Sequence, residues 1–186
     1  MGSIHEDISE VLIPQDLLQG RVTQLGKEIT RDYAERGPLL LVAVLKGAVV
    51  FLADLIRAID LPIEYDFVAI SSYGADTRSS GVVRLLKDLD VGVDGKHVLI
   101  VEDIIDTGWT LRMSYISENI RARGAVSVKI CTLLDKPDRR QLDVGIDYCG
   151  FVIEDQFVVG YGLDWAGRYR NLPYIGVLKP EIYSDS

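Results

Sequence analysis

One stretch of the sequence combines acidic, hydroxyl and glycine residues at spacings that could bind a phosphate and a sugar. The apolar run at 98–101 is followed by two adjacent carboxylates, Glu102 and Asp103, and then by the segment DTGWT at 106–110. A helix is predicted from residue 110, so the backbone N–H groups and two hydroxyls of this segment can point at one anion, at the positive end of the helix dipole. The segment therefore predicts a site for a phosphate monoester.

The two carboxylates beside this predicted site need partners other than the phosphate, which they repel. An ionised carboxylate only accepts hydrogen bonds, so the vicinal hydroxyls of a sugar suit Glu102 and Asp103 as donors. A hard divalent cation such as Mg²⁺ would also bind there while keeping most of its waters. The alternative is a strand end with solvated acids and an ordinary helix cap. Three acids and two threonines around one glycine favour a ribose 5-phosphate site with Mg²⁺ nearby.

The stretch 98–110 resembles the phosphoribosyl pyrophosphate signature of the type I phosphoribosyltransferases. Other motifs of this family follow in the same order, and the resemblance extends from about residue 12 to residue 183. These motifs are LKG at 45–47, SYG at 72–74, LDKP at 134–137, FVVGYGLD at 157–164 and RNLP at 170–173. The signature alone indicates only the superfamily, whereas the combination is similar to the bacterial hypoxanthine-guanine branch.

The resemblance implies a reaction and a set of roles around a base. The reaction is the Mg²⁺-dependent transfer of a 5-phosphoribosyl group from 5-phosphoribosyl 1-pyrophosphate to a 6-oxopurine, which gives a nucleoside monophosphate and pyrophosphate. Asp106 matches the general base that faces N7 of the purine, and Lys136 matches the lysine that recognises the 6-oxo group. Phe157 matches a ring that stacks on the base, and Val158 offers backbone groups to its edge. Without the resemblance, Lys136 would be interpreted as a solvated charge, and Phe157 and Val158 as strand core.

The resemblance also implies two loops around the diphosphate. Lys46 and Gly47 match the pyrophosphate loop, although a Lys-Gly pair after a strand is by itself more often a plain turn. Ser72 and Tyr73 match the start of a lid, in a polar loop of eleven residues. Such a lid would exclude water, because an activated ribose would otherwise hydrolyse.

The remaining implied contacts concern the cation and the phosphates. Glu102, Asp103 and Asp164 are the expected contacts to Mg²⁺, and Arg170 is the expected contact to pyrophosphate. By position, the other contacts to the sugar phosphate are Ile105, Thr107, Gly108 and Thr110. One departure from the family pattern is Trp109, which stands where a smaller aliphatic residue or a lysine is expected.

Two other functions share parts of this pattern. A regulator that senses phosphoribosyl pyrophosphate would keep the fold and bind DNA or RNA, and a phosphoribosyltransferase could use a pyrimidine or orotate. The formal net charge of −8 and the absence of a basic excess argue against nucleic-acid binding. Lys136 and the Phe157-Val158 stretch argue against another base.

The elements that must position these residues alternate along the chain. Apolar residues at steps of three and four predict a helix that opens at 14–16 and ends before Gly37, and a second helix at 48–59. A third helix is predicted at 110–123. The apolar run 39–45 predicts a strand buried on both faces. Further strands are predicted at 65–70, 82–86, 98–101, 126–134 and 148–153, with a short apolar run at 157–159. The order predicts a doubly wound, mostly parallel α/β sheet with a small hood.

Length and composition limit the class of protein. The chain has 186 residues, of which 48% are hydrophobic and 26% charged, which is typical of one soluble domain. We expect a single domain over 1–186, with a core at about 38–135 and a hood formed by 136–186 and the N-terminal segment. Cys131 and Cys149 lack metal-binding or redox spacing. No signal peptide or membrane span is predicted, so we expect a cytoplasmic protein without membrane partners. The resemblance implies a homodimer or homotetramer, and the acidic charge predicts no nucleic-acid partner.

Overall fold

A computed structural model describes residues 3–72, 83–106, 109–137 and 145–184 of the chain. Within these ranges the chain forms nine strands and four helices. Their bounds are β1 Ile8–Ile13, α1 Gln15–Tyr33, β2 Leu39–Val44, α2 Ala48–Ala58, β3 Ile63–Ser72, β4 Val83–Lys87, β5 His97–Ile105, α3 Trp109–Ala122, β6 Ser127–Asp135, β7 Tyr148–Val152, β8 Val158–Val159, β9 Ile175–Leu178 and α4 Pro180–Tyr183.

Six of these strands form the main sheet, in the order β4-β3-β2-β5-β6-β7. β4 is antiparallel to β3, and each other neighbouring pair is parallel. Alternate residues of β2 pack on opposite faces: Leu41 against α1 and α2, and Val42 against α3. Because both faces are covered by helices, β2 is apolar throughout and wholly buried. The predicted doubly wound, mostly parallel α/β fold is confirmed.

The hood contains a second sheet of three strands, in the order β1-β9-β8. Both of its neighbouring pairs are antiparallel, and β1 places Ile8 opposite Leu178. The sequence analysis did not predict β1, because residues 8–13 alternate too irregularly to indicate a strand. Three of the six residues of β1 are exposed, and its hydrogen-bond partners lie at the other end of the chain.

The largest difference inside the main sheet concerns β5. The sequence predicted a strand that ends at 101, whereas β5 continues to Ile105. The extension forms because β6 pairs with β5 as far as Asp135, while the pairing with β2 stops at Val101. Glu102 and Asp103 therefore belong to the strand itself. In the described part of the chain, no helix combines the length and apolar character needed to cross a membrane.

Candidate active site

The carboxyl ends of three neighbouring strands bring the predicted site residues to one edge of the main sheet. Lys46 and Gly47 follow β2, Asp106 follows β5, and Lys136 follows β6. In an open α/β sheet, ligands bind in the crevice outside these strand ends. The order of the elements therefore puts the candidate site where the sheet topology expects it.

The two adjacent carboxylates are buried. Glu102 is 0% exposed and Asp103 is 8% exposed, and neither carboxyl oxygen of Glu102 has a hydrogen-bond partner among the described residues. Burial raises the pKa of Glu102 well above its usual range, and the neighbouring Asp103 raises it further. Burial also raises the pKa of Asp103, to about 6. The N–H of Ile104 donates to this carboxylate at 2.9 Å and lowers the pKa, but burial has the larger effect. The sequence predicts two ionised groups, whereas burial favours the protonated form of Glu102; a pKa of about 6 still leaves Asp103 mostly ionised at neutral pH.

The loop after β2 is packed directly against one of these acids. A Cβ atom placed on Gly47 would lie 1.6 Å from Oδ2 of Asp103, so only glycine fits at this position. The Leu45–Lys46 peptide bond is cis. On its other side, the Gly47 carbonyl oxygen approaches Gly162 so closely that a Cβ there would lie 2.1 Å away. Gly47 is therefore held between β5 and the hood.

A hydrogen bond ties the same part of the hood to α2. The hydroxyl of Tyr161 donates to Oδ2 of Asp54 at 2.5 Å, and Asp54 also pairs with Arg57. Burial raises the pKa of Tyr161, and the bond to Asp54 raises it further, so the phenol stays protonated. Because α2 begins directly after Gly47, this bond fixes the loop relative to the hood.

The donor set suits a cation that keeps most of its water. Glu102 offers two buried oxygens without a partner among the described residues, and Asp103 lies beside it. The described residues hold no group of three or more metal-ligating side chains, so they would not enclose a metal by themselves. Mg²⁺ is usually bound through one or two carboxylates together with waters and substrate phosphates, and the residues present fit that mode.

Asp164 and Arg170, both predicted site residues, are paired with each other. The guanidinium of Arg170 lies 2.6 Å from Oδ1 of Asp164 and donates to the Gly162 carbonyl at 2.5 Å. The N–H of Gly167 donates to the second oxygen of Asp164 at 2.7 Å. These contacts hold the hood turn that packs on Gly47, and the proposed contact of Asp164 to Mg²⁺ stays a prediction.

A cavity of about 450 Å³ opens between the strand ends and the hood. Five predicted site residues line it: Asp106, Lys136, Phe157, Val158 and Asp164. The other lining residues were not predicted, and they are Ile104, Asp155, Gln156, Leu163 and Tyr183. The cavity thus brings a carboxylate, an ammonium group and an aromatic ring together.

Lys136 is held in this cavity in a defined position. It is only 9% exposed, and its Nζ donates to the Gln156 carbonyl at 2.5 Å and lies 3.9 Å from Oδ1 of Asp155. Its backbone N–H donates to the Ile105 carbonyl at 3.0 Å, which ties β6 to the end of β5. A lysine buried to this extent is not the solvated charge that a Lys-Pro pair at a strand end usually indicates.

The Phe157 ring belongs to a cluster of three aromatic residues. It stacks on Tyr183 with centroids 4.7 Å apart and planes at 21°, and it meets Trp165 edge to face at 5.4 Å. Sequence reasoning missed Tyr183. The only sequence signal was a proline at 180 that begins a final helical turn, with an aromatic residue at its end.

Several predicted site residues lie outside the ranges that the structure describes, or have side chains that do not line the cavity. Tyr73, Thr107 and Gly108 lie outside the described residues, and the side chains of Ser72 and Thr110 are likewise not described. Ile105 is fully buried in the core on the α3 face and does not line the cavity.

Comparison with known proteins identifies the family. The phosphoribosyl transferase domain model matches residues 14–165. The hypoxanthine-guanine phosphoribosyltransferase of Bacillus subtilis is 55% identical over 179 residues, which cover 96% of this chain and 98% of that protein. The bifunctional protein TilS/HprT of Listeria monocytogenes is 55% identical over 183 residues, but this chain spans only 28% of its length.

A solved structure agrees with the sequence relatives. A hypoxanthine phosphoribosyltransferase from Staphylococcus aureus has a TM-score of 0.91 and 47% identity, and the match covers 98% of both chains. Likeness at this level extends over the main sheet and the hood together. The chain therefore belongs to the phosphoribosyltransferase family, and its relatives place it in the hypoxanthine-guanine branch of that family.

Proposed function

We propose that this chain transfers the 5-phosphoribosyl group of 5-phosphoribosyl 1-pyrophosphate to hypoxanthine or guanine, which releases pyrophosphate and supplies purine salvage. The observation that carries the proposal is the cavity of about 450 Å³, in which Asp106, Lys136 and Phe157 line one space at the strand ends. A purine needs a flat apolar surface together with a few polar groups at its edge, and this cavity supplies both.

The base is held by three contacts of different kinds. Phe157 offers its ring for stacking, and the Val158 backbone faces the base edge. The ammonium group of Lys136 only donates hydrogen bonds, so it favours the 6-oxo acceptor of hypoxanthine and guanine over the 6-amino donor of adenine. Asp106 then accepts the N7 proton as the bond from N9 to the ribose forms, which is general base catalysis.

The sugar and diphosphate lie over the adjacent strand ends. Glu102 and Asp103 accept hydrogen bonds from the ribose hydroxyls, and the bend with Thr107, Gly108 and Thr110 holds the 5-phosphate. Lys46 and Gly47, with Arg170, contact the pyrophosphate, and a lid that starts at Ser72 and Tyr73 excludes water. The buried, loop-packed position of Asp103 supports this arrangement.

We infer Mg²⁺ as the cofactor: Glu102 and Asp103 would hold it beside the ribose, and Asp164 would contact Mg²⁺ on the pyrophosphate side. When bound, it would neutralise charge on the departing pyrophosphate. The two oxygens of Glu102, which have no hydrogen-bond partner among the described residues, support a cation at this position. Each oxygen of Asp164 accepts one contact, from Arg170 or from Gly167, and keeps a further lone pair for the cation or its waters.

We further propose that residues 1–186 act as one phosphoribosyltransferase unit, in a cytoplasmic homodimer or homotetramer. The three-stranded sheet supports a single unit, because it joins residues 8–13 to residues 175–178 across the whole chain. Sedimentation of the purified protein would give the number of subunits.

An assay with purified protein, labelled sugar donor and Mg²⁺ tests the function against hypoxanthine, guanine, xanthine, adenine, uracil and orotate. We expect turnover with hypoxanthine or guanine, and loss of that turnover when EDTA removes divalent ions. Turnover with uracil or orotate alone would assign another base. Binding of the sugar donor without turnover on any base would favour the regulatory alternative, and full activity in EDTA would remove Mg²⁺ from the proposal.

A further inference from the structure

The last helical turn of the described chain contributes a ring to the candidate base site. Tyr183, in α4, lines the same cavity as Asp106 and Lys136. Its ring stacks on Phe157 at 4.7 Å and lies at 70° to Trp165, with centroids 6.2 Å apart. None of the roles proposed above uses this residue.

Backbone hydrogen bonds fix the position of this turn relative to Phe157. The N–H of Leu178, in β9, donates to the Phe157 carbonyl at 2.9 Å, and the next N–H, of Lys179, donates to the Asp7 carbonyl at 3.0 Å. The turn itself is closed by the N–H of Ser184, which donates to the Pro180 carbonyl at 3.0 Å. The hood sheet therefore fixes the backbone positions from which the two rings meet.

We propose that Tyr183 is a positioning residue for the purine, which acts by fixing the plane of the Phe157 ring before the base arrives. Phe157 is only partly buried, so without a neighbour its ring would lose rotational freedom when a base stacked on it. Tyr183 restrains the ring from one side and Trp165 meets it at an angle. The Phe157 ring is therefore already ordered before the base binds, so binding costs less conformational entropy. The inference rests on the proposed function, because it assumes that Phe157 stacks on the base.

A purely structural role for Tyr183 makes a different prediction. The hood core around Val159, Leu172 and Leu178 contacts Tyr183 only as a partly buried neighbour. If Tyr183 served that core alone, any apolar side chain of similar volume would replace it. If Tyr183 orients Phe157, only another aromatic ring would do so, because stacking needs a flat face.

The test compares Tyr183→Ala, Tyr183→Leu and Tyr183→Phe by steady-state kinetics, with Tyr65→Ala as the control for loss of a half-exposed tyrosine on a distant strand. We expect Tyr183→Ala and Tyr183→Leu to raise KM for hypoxanthine about threefold to tenfold. KM for the sugar donor and kcat should stay within about twofold of wild type. The reason is that Tyr183 affects the binding of the base equally in the ground state and in the transition state. Tyr183→Phe should restore the wild-type KM for hypoxanthine.

Two results would overturn the inference: a wild-type KM for hypoxanthine in Tyr183→Leu, or an equal rise in both KM values in the Ala and Leu variants. Calorimetric titration with inosine monophosphate measures binding without turnover. The affinity for inosine monophosphate should fall by the same factor in the Leu variant. If Tyr183→Ala does not fold, the Leu and Phe pair decides the question. Failure of wild type to turn over any 6-oxopurine would instead reject the proposed function, and with it the premise.

Discussion

Three carboxylates near the end of β5 lie in three different environments. Each environment suits a different role in the proposed reaction. Glu102 is wholly buried, and Asp103 is packed against the loop at Gly47. Asp106 is partly exposed and is the one of the three that lines the cavity of about 450 Å³. A group that accepts a proton from the base must reach the base, so Asp106 is the one whose position fits the proposed general base.

Replacing Asp106 with asparagine removes the proton acceptor and keeps the shape of the side chain. We expect kcat to fall by a factor of about 10²–10⁴, the usual contribution of general acid–base catalysis, with binding of the sugar donor retained. Steady-state kinetics and calorimetry measure the two effects. Asp60→Asn is the matched control, because Asp60 is exposed and lies just beyond the end of α2. Unchanged turnover in Asp106→Asn would reject this role.

Lys136→Ala should impair recognition of the base in particular. A hydrogen bond from a charged donor contributes about 1.5–3 kcal/mol, which corresponds to a rise of about tenfold to a hundredfold in KM for hypoxanthine. KM for the sugar donor should change much less. Lys129→Ala in β6, the strand that Lys136 follows, is the control, since Lys129 contacts Asp147 and lies outside the cavity lining. Equal changes in both KM values would show that Lys136 does not recognise the purine.

At the scale of the elements, the loop between β2 and α2 is placed by contacts from two directions. Gly47 packs on Asp103 of β5 and, through its carbonyl, on Gly162 of the hood. The bond from Tyr161 to Asp54 holds the same hood turn to α2. The candidate diphosphate site is therefore assembled from segments more than a hundred residues apart in sequence.

Gly47→Ala tests this assembly. The added methyl group would overlap the Asp103 carboxylate, so the loop or the acid must move. A displacement of about 1 Å can cost a hundredfold in rate, and we expect kcat/KM for the sugar donor to fall by about that factor. Gly20→Ala in α1 is the matched control, because its Cβ meets nothing within 4 Å. Wild-type kinetics in Gly47→Ala would contradict the close packing, provided that circular dichroism shows both variants folded.

At the scale of the whole molecule, one buried carboxylate near the edge of the main sheet makes the stability of the fold depend on pH. Asp66 is 6% exposed, and three backbone N–H groups donate to it, those of Phe67 at 2.6 Å, Asp90 at 2.7 Å and Val91 at 3.0 Å. Burial opposes its ionisation, but these donors and Lys87 outweigh burial and lower the pKa below its usual value. The charged form of Asp66 therefore holds the connection from β4 to β5 against β3.

A lowered folded-state pKa gives a definite sign to the pH dependence. The contribution of Asp66 is present above the unfolded-state pKa of about 3.9 and is lost as pH falls through the lower folded-state value. We expect Asp66→Asn to reduce the free energy of unfolding by about 1–3 kcal/mol at pH 7. Urea denaturation at pH 7 and near pH 3 should show that the difference in free energy of unfolding between Asp66→Asn and wild type becomes smaller in acid. A difference that stays constant with pH would contradict this role.

The residues that could be predicted are those whose signal is local. The apolar run at 39–45 indicates a strand covered on both faces, and β2 is that strand. The acidic stretch at 102–106 follows an apolar run, which was enough to suggest a site at a strand end. The same signal could not give the length of β5, because its extension to Ile105 depends on pairing with β6, a separate segment.

By itself, the sequence determined the alternation of strands and helices, the family signature and the residues proposed for the chemistry, because each depends on residue type and short-range spacing. The tertiary structure decided which of them share one space. Pairing of β1 with β9 joins the two ends of the chain, burial raises the pKa values of Glu102 and Asp103, and the hood stacks Tyr183 on Phe157. Periodicity along a chain reports which side of an element is buried, but the segment that buries it is chosen only when distant parts pack together.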